Sequence, residues 1–191
     1  MGTGLFHMTS QEIEIEKSLV LAAQSNPEKF EPLYNNYYER ILSFIYLRVE
    51  TKDETYELTS QVFFKALENI RKYKSVGLPF GSWLFRIAIN EVNKFFQKNQ
   101  RKRTISIDEE SVKEIFIEIN EEKQEDADKK LSLAFQILSV DEVELIELRF
   151  FQKLPFKEIS QIMDLSEASV KARVYRSLEK MKQVIQNHKN F

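Results

Sequence analysis

Cysteine is absent from the 191 residues. That excludes disulfides, thiolate nucleophiles and cysteine-ligated metals, and it suits a reducing compartment. Histidine is nearly absent: His7 and His188 stand near opposite ends, so imidazole general-base chemistry and a zinc site are not expected. Four glycines occur, two of them among the first residues, and none forms a phosphate-cradling loop. No apolar run approaches the ~18–20 residues of a membrane span, and the leading residues lack the basic and apolar segments of a signal peptide. Acidic residues are plentiful, but no cluster sits in an apolar setting suited to acid–base work. A catalyst, a bound cofactor and a metal site are therefore not expected, and a cytoplasmic location is.

What is present points to helices and to segregated charge. Apolar residues make up 42% of the chain, including 15 Phe, so cores can be buried. The formal net charge is −2, which at first sight argues against a phosphate-binding protein. The sum conceals a pattern. Residues 84–103 carry six bases against one acid, and residues 104–130 carry ten acids against four bases. In the last third, Lys171, Arg173 and Arg176 fall within six residues. Two locally basic patches thus flank an acidic connector.

Apolar spacing and capping signals place helices along most of the chain. Ser10 or Thr9 can cap a helix bearing Ile13, Glu16, Leu19, Val20 and Ala23 on one face. Asn26 and Pro27 start another, with a break or kink expected at Pro32. Thr51 and Glu54 have capping-box spacing, followed by an inward stripe of Leu58, Val62, Leu67 and Ile70. Gly77 and Pro79 break the chain before a helix beginning near Phe80. Residues 104–128 lack caps and clean periodicity and read as a linker, although "IFIEI" (115–119) argues for a segment that docks. The expected architecture is all-α, with two small helical domains at 8–103 and 129–191. Residues 1–7 read as a tag remnant.

The stretch "EISQIMDLSEASVKARVYRSLEKM" (158–181) has the form of a helix–turn–helix. Asp164 tolerates the left-handed conformation a tight turn needs, and Ser166 is a natural cap. Val170, Val174, Leu178 and Met181 must face the core. Ala168, Ala172, Tyr175 and Arg176 fall on the opposite arc, with Lys171 at its margin. Small residues there let a helix enter a groove. Arg176 can donate two parallel hydrogen bonds to a guanine edge, while Lys171 and Arg173 lie nearer the rims, where phosphates would be. The alternative is a surface helix whose bases are only solvated.

"ELTSQVFFKALENIRKY", "LPFGSWLFRIAINEVNKFFQKNQRK" and "ILSVDEVELIELRFFQKLPFKEISQIMDLSEASVKARVYRSLEKM" occur in order, separated by the acidic connector. Together they resemble the extracytoplasmic-function (ECF) sigma factors, small bacterial initiation factors that retain regions two and four. The resemblance implies a promoter-specificity subunit of RNA polymerase, with core polymerase, promoter DNA and an anti-sigma factor as partners and no membrane insertion of its own. Glu57 and Gln61 match the surface that docks on the β′ clamp helices, and the resemblance implies the β flap as a further contact on core polymerase. The family usually has an Asp and a Gln-Glu pair where this chain has Glu57, Ser60 and Gln61. Asn90 matches the position that looks after an unstacked −10 base, with Arg86, Lys94 and Lys98 able to track the backbone beside it. Trp83 has two readings: stacking on a melted base, or packing in the core with Phe80 and Ile87. Lys171, Ala172, Arg173, Tyr175 and Arg176 match the −35 recognition helix.

Length bears on mechanism. A flexible 25-residue linker has ends ~30 Å apart and reaches at most ~85 Å. Two promoter elements about two helical turns apart lie on the order of 70 Å from each other. Something must hold such a linker stretched, and core polymerase is the expected agent. Two rivals remain open at this stage: a stand-alone helix–turn–helix regulator, and a polymerase-binding protein that reads no DNA.

Overall fold

A computed structural model of the chain describes residues 8–99, 109–119 and 127–187. The expected tag remnant, the basic run 101–103 and His188 lie outside these residues, as does much of the expected linker. The described residues divide into two compact helical units, 8–99 in one and 109–119 with 127–187 in the other. Among the described residues there is no strand, and no helix is long and apolar enough to cross a membrane.

In the first unit α1 spans Ser10–Ser25 and starts at a capping box, in which Thr9 accepts from Glu12 N–H and the Glu12 carboxylate accepts from Thr9 N–H. Asn26 then caps a tight 3₁₀ turn, Pro27–Phe30. The break expected at Pro32 falls at the end of this turn instead. α2 (Glu31–Tyr46) begins one residue before Pro32, in the first turn where a missing N–H costs nothing. α3 (Lys52–Asn69) opens with the Thr51–Glu54 capping box. Leu58, Val62 and Ile70 are buried as the spacing predicts, whereas Leu67 is half-buried and Phe63 and Ala66 complete the inward face. Gly77, at φ +73, turns the chain toward α4 (Phe80–Asn99).

These four helices close around Leu33, Ile41, Phe44, Val62, Leu84, Phe85 and Val92, all buried. A carboxylate sits among them. Glu16 is 5% exposed; it accepts hydrogen bonds from the Tyr37 hydroxyl and from the backbone N–H of Phe80, the first residue of α4. The charge therefore stands at a helix N-terminus, where the backbone dipoles favour it. Burial still pushes the Glu16 carboxyl above its ordinary range, opposed by these hydrogen bonds and by Arg40. The residue after Phe80, Gly81, lies against the Tyr37 ring so closely that a Cβ would collide with it.

In the second unit α5 (Glu109–Glu118), α6 (Ala127–Gln136) and α7 (Val140–Ile146) precede a wide π-type turn, Glu147–Phe151. Then come α8 (Phe156–Met163) and α9 (Glu167–Asn187). The turn between α8 and α9 follows the sequence signals. Asp164 is left-handed at φ 56, ψ 46, and Ser166 accepts from Ser169 N–H at 3.2 Å. Val170, Val174, Leu178 and Met181 are at most 4% exposed. Part of the stretch read as linker is helical: in α5, Val112, Ile115 and Phe116 are buried against this unit.

Candidate nucleic-acid interface

On the first unit, an open groove of about 360 Å³ is lined by Lys65 and Asn69 of α3, Lys72 and Tyr73 after it, and Trp83, Ile87, Asn90, Glu91 and Lys94 of α4. Three residues singled out in the sequence, Trp83, Asn90 and Lys94, thus share one groove. Arg86 and Lys98 continue the four-residue spacing along α4 outside it, half-buried and exposed respectively.

Trp83 packs on neighbouring rings and also reaches the groove. Its ring packs on Tyr73 (centroids 4.9 Å) and Phe80 (5.3 Å), yet it is only half-buried and faces the groove. The same contacts make an aromatic wall on which a base can stack. Burial and the Glu16 charge push the Tyr73 phenol up to about 12, so it stays a neutral donor. Asn90 is exposed at the groove and offers both a donor and an acceptor.

Glu91 is 6% exposed and held between two ammonium groups, Lys65 Nζ at 2.5 Å and Lys94 Nζ at 3.1 Å. Burial alone would raise its pKa; the hydrogen bonds and charges of Lys65 and Lys94 outweigh that and hold it below the ordinary 4.5. Lys65, Asn69, Lys72 and Tyr73 were not singled out in the sequence. They come from α3 and the segment after it, and only the packing of α3 against α4 brings them to Asn90.

On α3, Gln61 donates to Glu57 at 3.0 Å. Ser60 is exposed beside them, and Phe64, one turn on, is 62% exposed. Tyr56 borders the same face at 52% exposure. Two aromatic rings thus stand in solvent beside the Glu57–Gln61 pair.

On the second unit, Lys171, Ala172, Tyr175 and Arg176 are exposed along α9, and Arg173 is half-buried. Lys171 pairs with Glu167 at 3.0 Å, and Arg176 Nε donates back to the Ala172 carbonyl at 3.1 Å. Phe156, the first residue of α8, organises the edge of this helix. Its ring lies 6.3 Å from Tyr175, 4.8 Å from the Arg149 guanidinium and 5.6 Å from Lys171 Nζ. Both cations lie within reach of an attractive interaction with the ring. Sequence reasoning missed Arg149 and Phe156. The aromatic at the start of α8 was the available signal.

Comparisons with known proteins bear on both units. The model described as "Sigma-70 region 2" matches residues 33–102, and "Sigma-70, region 4" matches residues 129–181. The ECF RNA polymerase sigma factor BldN of Streptomyces coelicolor is 28% identical over 87% of this chain, which spans 64% of that protein's length. The ECF RNA polymerase sigma factor SigX of Bacillus subtilis is 25% identical over 80% of this chain and 81% of its own. Among solved structures, CnrH in complex with the cytosolic domain of CnrY superposes with a TM-score of 0.61 at 17% identity, covering 90% of this chain and 97% of that one; at that identity the likeness is one of fold. With both regions present, in order, and relatives spanning the pair, the chain belongs to the sigma-70 family, in its ECF class.

Proposed function

We propose that this chain directs core RNA polymerase to specific promoters, its first unit reading the −10 element and its second the −35 element. The observation that carries the reading is the groove at Asn90: an aromatic wall, an amide and flanking ammonium groups are the chemistry a single unstacked base requires. Trp83 supplies the stacking surface, Asn90 hydrogen-bonds the exposed base edge, and Lys94, Lys98 and Arg86 follow the backbone. On α9, Arg176 and Tyr175 address base edges, while Lys171, Arg173 and Arg149 lie toward phosphates. Ala172 leaves room for the helix to enter the major groove.

Polymerase docks on the α3 face of Glu57 and Gln61, with Phe64 and Tyr56 as apolar anchors, through its β′ clamp helices; the β flap meets the second unit. An anti-sigma partner belongs to the same reading, since CnrH was solved with the cytosolic domain of CnrY. The setting is the cytoplasm. The acidic residues between 104 and 128 connect the two readers, and polymerase draws them out.

The test is reconstitution with core polymerase followed by sequencing of transcript starts. A defined set of starts sharing −10 and −35 elements is expected. Starts no different from those of core alone would end the proposal.

A further inference from the structure

Helix α5 presents two different sides. Val112, Ile115 and Phe116 are buried in the second unit, and Ser111 Oγ donates to the Phe150 carbonyl at 3.3 Å. Along its other side Glu110, Glu114 and Glu118 recur every four residues. Together with Ile117 they line an open cleft of about 330 Å³ whose far wall is Arg149, Phe150 and Lys153. Lys153 Nζ is shut off from solvent and lies 2.5 Å from Glu114 Oε2. Its backbone is left-handed, at φ 55, which a lysine adopts only where its surroundings compensate for the crowding.

The far wall belongs to the DNA-reading surface. Arg149 stacks on Phe156, and Phe156 carries Lys171 and Tyr175 on its other contacts. A row of carboxylates spaced along a helix therefore stands against basic groups at the edge of the reading helix. We infer that α5 is an internal clamp: its carboxylates occupy, in the free chain, the positions at which Arg149 and Lys153 take backbone phosphates of the −35 duplex. The inference rests on the promoter-reading proposal and adds a regulation to it. Binding of the −35 element requires α5 to leave, and a polymerase that draws the connector away supplies that release.

Two variants separate the clamp from a general effect of charge. Glu110→Gln/Glu114→Gln/Glu118→Gln removes the competing carboxylates. Phe116→Ala keeps every charge and loosens the apolar anchor. The probe is a duplex carrying the −35 element of a start site mapped with the holoenzyme, titrated into the full free chain by fluorescence anisotropy across a salt series. Each phosphate contact adds about 0.9 to the slope of log K against log salt, so both variants are expected to bind at least about tenfold tighter with slopes steeper by about 2. In parallel, hydrogen exchange in the wild-type chain should show the amides of α5 losing protection when the duplex saturates it.

Unchanged affinity and slope in both variants overturns the clamp, as does tighter binding by the triple variant alone. So does α5 staying protected with the duplex bound. Should Phe116→Ala fail to fold, the exchange measurement on wild type decides. If the duplex binds neither the free chain nor the holoenzyme, promoter reading itself falls and the clamp with it. If the holoenzyme binds while α5 stays docked, only the clamp falls.

Discussion

Lys65 of α3 reaches across to Glu91 of α4, with Nζ 2.5 Å from the carboxylate. Lys94, one turn along α4, closes on the other oxygen at 3.1 Å. Both ammonium groups line the Asn90 groove, so Glu91 holds them in place while cancelling part of their charge. Glu91→Gln should release them toward DNA. The expected result is a several-fold rise in affinity for a single-stranded −10 oligonucleotide, with a steeper dependence on salt. An unchanged salt slope would show that neither lysine touches the strand. The pH dependence has a fixed sign. A depressed Glu91 pKa stabilises the fold above the ordinary 4.5, and that contribution is lost as pH falls through the lower folded value. Glu91→Gln should therefore flatten the acid limb of the stability profile.

Asn90 and Arg176 stand on different units, and the proposed function gives them different steps. Arg176→Ala should weaken discrimination at the −35 element, a bidentate guanine contact being worth about 1–3 kcal/mol. Asn90→Ala should leave closed-complex affinity within about twofold, yet reduce open-complex formation, because the base edge it reads is exposed only after melting. Permanganate footprinting of melted thymines, set beside duplex binding by holoenzyme, separates the two. Equal losses at both steps in both variants would count against the division.

Phe156 holds the edge of the reading helix through one ring that Arg149, Lys171 and Tyr175 share. It is half-buried, so truncation should cost less stability than a core Phe→Ala change, which runs to about 3–5 kcal/mol. The larger consequence should be for DNA. Phe156→Ala is expected to lower −35 duplex affinity about tenfold with little change in the specificity ratio, because cations that only meet phosphates lose their orientation. Phe156→Tyr should restore binding. A specificity change instead would mean that Tyr175, once unsupported, misplaces a base contact.

The parts of this fold that were legible in the sequence are those set by neighbours three or four residues apart. The Thr51–Glu54 box, the left-handed Asp164 and the Val170–Met181 stripe all arise from local geometry. The parts that were not legible depend on distant partners. Glu16 was read as one position on an amphipathic face; its buried role comes from Phe80, 64 residues away. The π-type turn at 147–151, which lets Arg149 reach Phe156, carries no Gly or Pro to announce it. Lys65 and Tyr73 join Asn90 only once α3 and α4 pack. On the candidate interface, the residue types along α4 and α9 were readable, and the groups packed beside them, Lys65, Tyr73, Arg149 and Phe156, were not.

Glu16 offers the sharpest test of the first unit, because two substitutions should part company there. Glu16→Ala strands the Phe80 N–H in the interior, a penalty of about 1–3 kcal/mol, and leaves the Tyr37 hydroxyl only the weak acceptor Met8 Sδ, 3.8 Å away. Urea unfolding should register a loss of about 2–5 kcal/mol. Glu16→Gln keeps an oxygen for Phe80 and removes a charge that burial disfavours, so its cost at neutral pH should be much smaller. The difference must also move with pH. Because the folded pKa lies above 4.5, the folded state binds this proton more tightly than the unfolded chain does. Wild type should thus gain stability relative to Glu16→Gln as pH drops from neutral toward 4.5, and the gap should stop changing below that. A gap that is flat with pH would mean the carboxylate is ionised at no cost, held there by Arg40 and the α4 dipoles rather than tolerated against its burial.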